Sequence, residues 1–430
     1  MGQARRWVGI ASAIAAGSGF ATTAGAQEAD LPRLRAAVKA SPTDAAASFA
    51  LGKALRRAGH FPEAVLELQR GALGTSALKT GLKNPMVLEL ARTRIEQRDL
   101  YGALRACEGF GVSSALANAC RAESHLLQNR ATEAYPFLET ALKTDPSLYE
   151  AQVNMGRALG LMGKVAEADK ALRAATAAND ARPEGHRYLG LFLLTQGRRD
   201  PGLSELKKAA AADPGDPEIA LDIALGIGRG RDARDELVRA TRIRPGYAPA
   251  LAELARVSFD LGDPAAAEAA AVEALKVDAS QTAAHVALGQ VRVGQKRWDE
   301  AIKEGEAARK LLPNSAAAEL VVADASAGKG DIDAATISYQ KAFSLDRTDP
   351  APLLRGANAS IAAGRYTTAR GFADKATLEF PKSPVAWITL GDAASKQGQT
   401  PKARGAYETA LKLEGAFDRE AVRRKLAAHR

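Results

Sequence analysis

The stretch LGKALRRAGHFPEA, Leu51 to Ala64, sets Gly52 and Ala64 twelve residues apart, with Gly59 between them. Far along the chain LGDAASKQGQTPKA, Leu390 to Ala403, repeats that order with Gly391, Gly398 and Ala403. Small residues at a fixed spacing mark backbones that approach closely. A glycine between two apolar-periodic stretches marks a chain reversal in a conformation other residues avoid.

Aligning the chain on the closing alanine gives Ala64, Ala103, Ala134, Ala168, Gly202, Ala233, Ala267, Ala301, Ala335, Ala369 and Ala403. Most steps are 34 residues; one step of 39 and two of 31 read as loop insertions or deletions. A second small position lies twelve residues earlier and a third seven residues later, and prolines such as Pro146, Pro214 and Pro313 close many units. Residues 149–182 show the physical content. YEAQVNMGRALGLM carries apolar residues at helical spacing and Gly163 stops it, after which VAEADKALRAATAA reads as a second amphipathic helix. Gly156 and Ala168 sit where the two helices meet, and Ala175 keeps the next hairpin close.

This spacing resembles the tetratricopeptide repeat, a helical hairpin of 34 residues with small residues at its eighth, twentieth and twenty-seventh positions. RWDEAIKEGEAARKLLP, Arg297 to Pro313, and RYTTARGFADKATLEFP, Arg365 to Pro381, carry the resemblance best. It implies an all-α fold: a right-handed superhelical solenoid of about eleven helix-turn-helix repeats over 45–417. A leading half-repeat at 27–44 and a capping helix at 418–430, with Leu426 turned inward, would close its ends. Two units depart from the pattern. GLKNPMVLELARTRIEQRDL lacks the turn glycine, and Leu221 stands where a small residue is expected.

Composition agrees with close helix packing: 46% of residues are hydrophobic and only 5% aromatic. Residues 1–26 read as a signal peptide, with Arg5 and Arg6 before a short apolar run and AGA, Ala24 to Ala26, as the cleavage site. An uncleaved anchor helix is the competing reading. Cleavage lowers the formal net charge from +9 to +7, and both signs are interspersed, which argues against nucleic acid. The expected location is the periplasm, with no stable membrane insertion after cleavage.

Chemistry is sparse. The five histidines show no i, i+3 or i, i+4 pair, and no phosphate loop or nucleophile elbow occurs. No catalytic residue, metal site or cofactor is expected. Trp298 and Trp387 fall on bulky repeat positions and read as packing residues rather than sugar platforms. Cys107 and Cys120 fall on neighbouring antiparallel helices; a disulfide and two buried thiols are both open.

In the family the ninth position of each first helix faces the concave groove. Here it gives Lys53, Arg92, Arg157, Asp222, Arg256, Asp324, Asn358 and Asp392 as candidate partner-binding residues, basic toward the N-terminus and acidic toward the C-terminus. The resemblance implies a non-catalytic scaffold for envelope or secreted proteins, in a setting such as exopolysaccharide export, secretion or pilus biogenesis. The alternative is direct binding of an anionic polysaccharide or cell-wall glycan by Arg92 and Arg157. Self-association stays open.

Overall fold

The computed structural model describes residues 30–110 and 114–429, so the expected signal peptide at 1–26 lies outside the described residues. The described residues form helices joined by short turns, in antiparallel pairs. They fall into two compact units, one ending at Gln281 and the other starting at Thr282.

In the first unit, helix Leu31–Ala40 packs Leu31 and Val38 on Leu51, Leu55 and Ala64 of the first hairpin, Ala45–Ala58 with Phe61–Leu73. Six further hairpins follow, ending with Ala248–Asp260 and Pro264–Val277. The second unit holds four, from Thr282–Gly294 with Trp298–Leu311 to Pro384–Lys396 with Thr400–Lys412. Helix Arg419–Ala427 closes it: Val422 is buried against Ala394, Ala403 and Tyr407, and Leu426 packs at the edge of that cluster.

The small positions are the close approaches. Ala64, Ala103, Ala134, Ala168, Ala301 and Ala403 have no exposed surface. The space above the earlier small position is filled from the second helix. A Cβ on Gly52 would lie 2.6 Å from Leu68, and one on Gly391 only 2.4 Å from Tyr407. Each such fully buried leucine contributes roughly 1.5–3 kcal/mol. Leu221 breaks the rule and is buried, clustered with Ala233 and Leu237.

The turns follow sequence less strictly. Gly59, Gly163, Gly262 and Gly398 have positive φ, but Arg98, Asn129 and Lys296 hold the same left-handed turn at φ 60–63°. The unit without a turn glycine is therefore a complete hairpin. The irregular steps also have causes other than loop length. The step of 39 accommodates an extra short helix, Thr75–Lys79. The first step of 31 coincides with a second helix of only 8 residues, Leu100–Cys107. The second coincides with a first helix of 11 residues, Pro217–Ile227, against 13 in Pro183–Thr195. The shortenings are in helices, not only in loops.

Candidate ligand cavity

In the first unit the hairpins curl until the first meets the sixth. At the last turn of helix Ala45–Ala58 the Gly59 N–H already reaches the Arg56 carbonyl, and Arg244 supplies further donors. Its Nε donates to the Arg57 carbonyl at 2.7 Å, its Nη2 to the Arg56 carbonyl at 3.4 Å, and its Nη1 lies 3.1 Å from Glu96 Oε2. A cation at a helix C-terminus is favourable for both hydrogen bonding and dipole. Arg57 also pairs with Asp213, and Lys53 Nζ lies 3.5 Å from the same carboxylate.

This closure leaves a partly open cavity of about 720 Å³. Its walls carry charged residues of both signs with Phe49, Leu88, Ile95, Leu116, Leu148 and Ile219 between them. Most charges pair one repeat along. Arg56 Nε donates to Glu89 at 2.6 Å and Arg92 Nε to Glu123 at 2.9 Å. Arg187 donates to Asp222 through Nε and to Glu218 through Nη1, both at 2.6 Å. Burial acts to raise the Glu89 carboxyl, but Arg56, Arg92 and Lys53 outweigh it and hold it below the ordinary value. Glu123 raises Arg92 against its burial, with help from Glu184 and Glu89. Ring faces are covered too: the Arg157 guanidinium lies 3.9 Å from the Tyr188 centroid and that of Arg244 4.7 Å from Tyr247.

Of the candidate groove residues, Lys53 and Arg92 line this cavity. Arg157 is buried, donating to Asn154 Oδ1 at 2.7 Å, and Asp222 is fully buried beneath Arg187. Arg256 reaches Glu253 at 2.7 Å and the Gly228 carbonyl at 2.8 Å. In the second unit Asp324 accepts from Tyr339 at 2.7 Å and Arg355 at 2.6 Å, and Asp392 accepts from Tyr407 at 2.8 Å and Lys425 at 2.7 Å. Asn358 is exposed. The ninth-position reading thus placed a basic and an acidic run where the structure has paired charges: Arg92 finds an acid further along, Asp222 a cation one hairpin back, and Asp324 and Asp392 cations further along.

The ninth-position rule missed Arg56, Arg57, Arg187 and Arg244. Arg56 and Arg57 stand in the opening stretch itself. Arg244 had a signal: the position that closes the second helix reads Asp at Asp145, Asp213, Asp278 and Asp346, and Arg only there.

Cys107 and Cys120 form a disulfide, both buried, in a cluster with Leu88 and Ala91 and with Leu116 against it. It stands directly behind two cavity-wall residues, Leu88 and Leu116. Trp298 packs on Gly328, and Trp387 Nε1 donates to the Pro381 carbonyl at 2.8 Å; both are half-buried. Among the described residues no group of His, Cys, Asp and Glu is placed to hold a metal ion, and no helix is long and apolar enough to cross a membrane.

Stacked helical hairpins with small residues at the crossings define an α-solenoid. Tetratricopeptide repeats are detected among them: two profiles so described match, one over residues 31–78, 252–316 and 284–352, the other over 125–190. No curated protein matches the chain. Among solved structures it is similar to the yeast Tom70 structure at 14% identity and TM-score 0.41, covering 90% of this chain and 95% of that one. It is similar to the APC/C hetero-tetramer Cut9-Hcn1 at 11% identity and TM-score 0.49, covering 94% and 93%. A human IFIT1 dimer with PPP-AAAA aligns at 16% identity and TM-score 0.44, covering 76% and 90%. Tetratricopeptide repeats bind protein partners in general.

Proposed function

We propose that the chain is a non-catalytic scaffold that binds other proteins, exported to the periplasm and serving an envelope assembly such as exopolysaccharide export, secretion or pilus biogenesis. The observation that carries the binding reading is the partly open cavity of the first unit, whose walls offer charges of both signs and apolar side chains together. A polypeptide presents that mixture; a uniformly anionic glycan does not. Because Arg157 is buried and Arg92 is paired, the basic stripe a glycan would need is largely used internally. The export reading draws on the leader-like residues 1–26 and on the buried Cys107–Cys120 disulfide, a bond that persists in oxidising compartments.

Cross-linking of intact cells, affinity capture of the chain from envelopes, and mass spectrometry test it. A reproducible set of envelope proteins, reduced by Lys53→Gln and Arg98→Glu but not by Arg404→Ala, is the expected result. Recovery of the chain from the cytoplasmic fraction alone, or carbohydrate without protein, would overturn it.

A further inference from the structure

The first unit closes along one seam. Its far side is a single repeat position, the residue that ends the second helix, taken from three successive hairpins. These residues are Asp213 after Arg199–Ala212, Arg244 after Arg231–Ile243 and Asp278 after Pro264–Val277. The near side is the ends of the first helices Ala45–Ala58 and Lys83–Glu96, with the turn residue Arg98. Asp213 meets Arg57 and, at 3.5 Å, Lys53. Arg244 meets the Arg56 and Arg57 carbonyls and Glu96, and Asp278 lies 3.8 Å from Arg98.

Each of these contacts is polar. Leu51, Leu55 and Ala64 cluster with the leading helix, and Leu237, Ala240 and Tyr247 with the hairpins beside them; neither cluster crosses the seam. Hairpins that join their neighbours by apolar packing are thus shut into a curl by charges and carbonyls. Two features set the seam near balance. It brings the negative ends of two helix dipoles, those of Ala45–Ala58 and Arg231–Ile243, onto the one cation Arg244. Its polar groups are also incompletely met: Arg57 Nε is buried without a partner, and Glu96 Oε2, though 3.1 Å from Arg244, accepts no hydrogen bond. Such groups regain partners from water when a seam parts. Solvent already reaches it, since the Lys53 and Arg98 side chains are 39% and 59% exposed.

We infer that this seam is a gate: it parts and recloses, and parting opens the cavity along its side. Lys53, Arg57, Arg98, Asp213 and Arg244 stand in the cavity wall, so the wall itself divides there. No hairpin has to unfold, because each touches mainly its neighbours and small rotations between them sum along the array. A segment internal to a folded partner has no free end to thread, and a parted seam lets it be laid in from the side. That use rests on the protein-binding reading above; the motion does not.

Pro62 and Ala212 are exposed and flank the seam. Pro62 follows Phe61, whose ring centroid lies 5.7 Å from the Arg244 guanidinium, and Ala212 precedes Asp213. Nitroxide labels on Pro62→Cys and Ala212→Cys in the full mature chain report their separation by pulsed electron spin resonance, with no partner present. Expected are a near and a far population. The far one rises about fivefold between about 0.1 and 1 M salt and predominates in Arg244→Gln, while Arg404→Ala matches the parent. Circular dichroism confirms that the variants keep their helix content, and the salt series does not depend on any seam variant. A single population throughout, or two that ignore both salt and Arg244→Gln, would overturn the gate. A bifunctional maleimide across the two cysteines holds the seam shut, and the bridged chain is expected to lose the envelope proteins that the unbridged chain captures. Equal capture by the bridged chain would overturn the inference and leave the scaffold standing. Two salt-dependent populations without any captured envelope protein would support the gate and sink the scaffold.

Discussion

Arg187 and Asp222 meet across the join between two hairpins, Nε to Oδ2 at 2.6 Å, with Asp222 fully buried and its Oδ1 without a partner. Burial pushes the Asp222 carboxyl from 3.8 up to about 6, against the pull of Arg187 and in the same sense as Glu218 and Asp216.

A folded-state value above the unfolded one means the folded unit holds this proton more tightly. The contribution is fully present below 3.8 and is lost as pH rises through about 6. Asp216 acts in a separate window: Arg187, Arg57 and Arg56 outweigh its burial and hold it at about 2, so its contribution is lost as pH falls below 3.8. Asp222→Asn is expected to flatten the dependence of stability on pH between 3.8 and about 6, read as denaturant midpoints across that range. An unchanged slope would reassign the proton.

Arg244 is 4% exposed and serves both the end of the first hairpin and Glu96. Replacing it with methionine leaves Glu96 to Arg56 alone and the Arg57 carbonyl uncapped. The expected cost is about 3 kcal/mol, seen in thermal unfolding of the first unit and in faster hydrogen exchange near the end of helix Ala45–Ala58. Exchange that matches the parent there would mean the hairpins hold their curl without this residue.

The disulfide closes a short loop, Cys107 and Cys120 being 13 residues apart. Reduction, or the double change Cys107→Ala and Cys120→Ala, is expected to lower stability by about 3 kcal/mol. Because Leu88 and Leu116 lie against the bond, affinity for a cavity ligand should fall with it. A reduced protein as stable as the oxidised one would make the bond incidental.

Lys296 holds φ 60° at a turn where Gly262 holds 78°. A side chain there costs about 1–2 kcal/mol, part of which glycine returns through a freer unfolded chain. Lys296→Gly should raise stability by roughly 0.5–1 kcal/mol, and Gly262→Ala should lower it by about 1 kcal/mol. Chemical denaturation of both decides; if the two changes move stability in the same direction, the turn does not control it.

The hairpin array was legible because close packing leaves a mark at a fixed spacing: Ala64, Ala168 and Ala301 have no exposed surface. The turn at Arg98 was not, because a left-handed residue need not be glycine when packing on both sides fixes the chain. The ninth-position reading found Lys53 and Arg92 at the cavity, yet it could not see that Arg157 is sealed beneath Tyr188 or that Asp222 is already paired. Those outcomes depend on partners 31 and 35 residues away, in a neighbouring hairpin. Arg244 was harder still, since its partner Arg57 is 187 residues distant and the meeting depends on small rotations accumulated over several repeats.

Open solenoids can gain or lose a repeat at modest cost, since each touches only its neighbours. The contact of Arg244 with the end of helix Ala45–Ala58 removes that freedom from the first unit. Inserting or deleting one hairpin between them would swing Arg244 away from the carbonyls it caps. The repeat number there is thus a fixed quantity, as strand number is in a closed barrel, and duplication within that span is the change this chain can least accommodate.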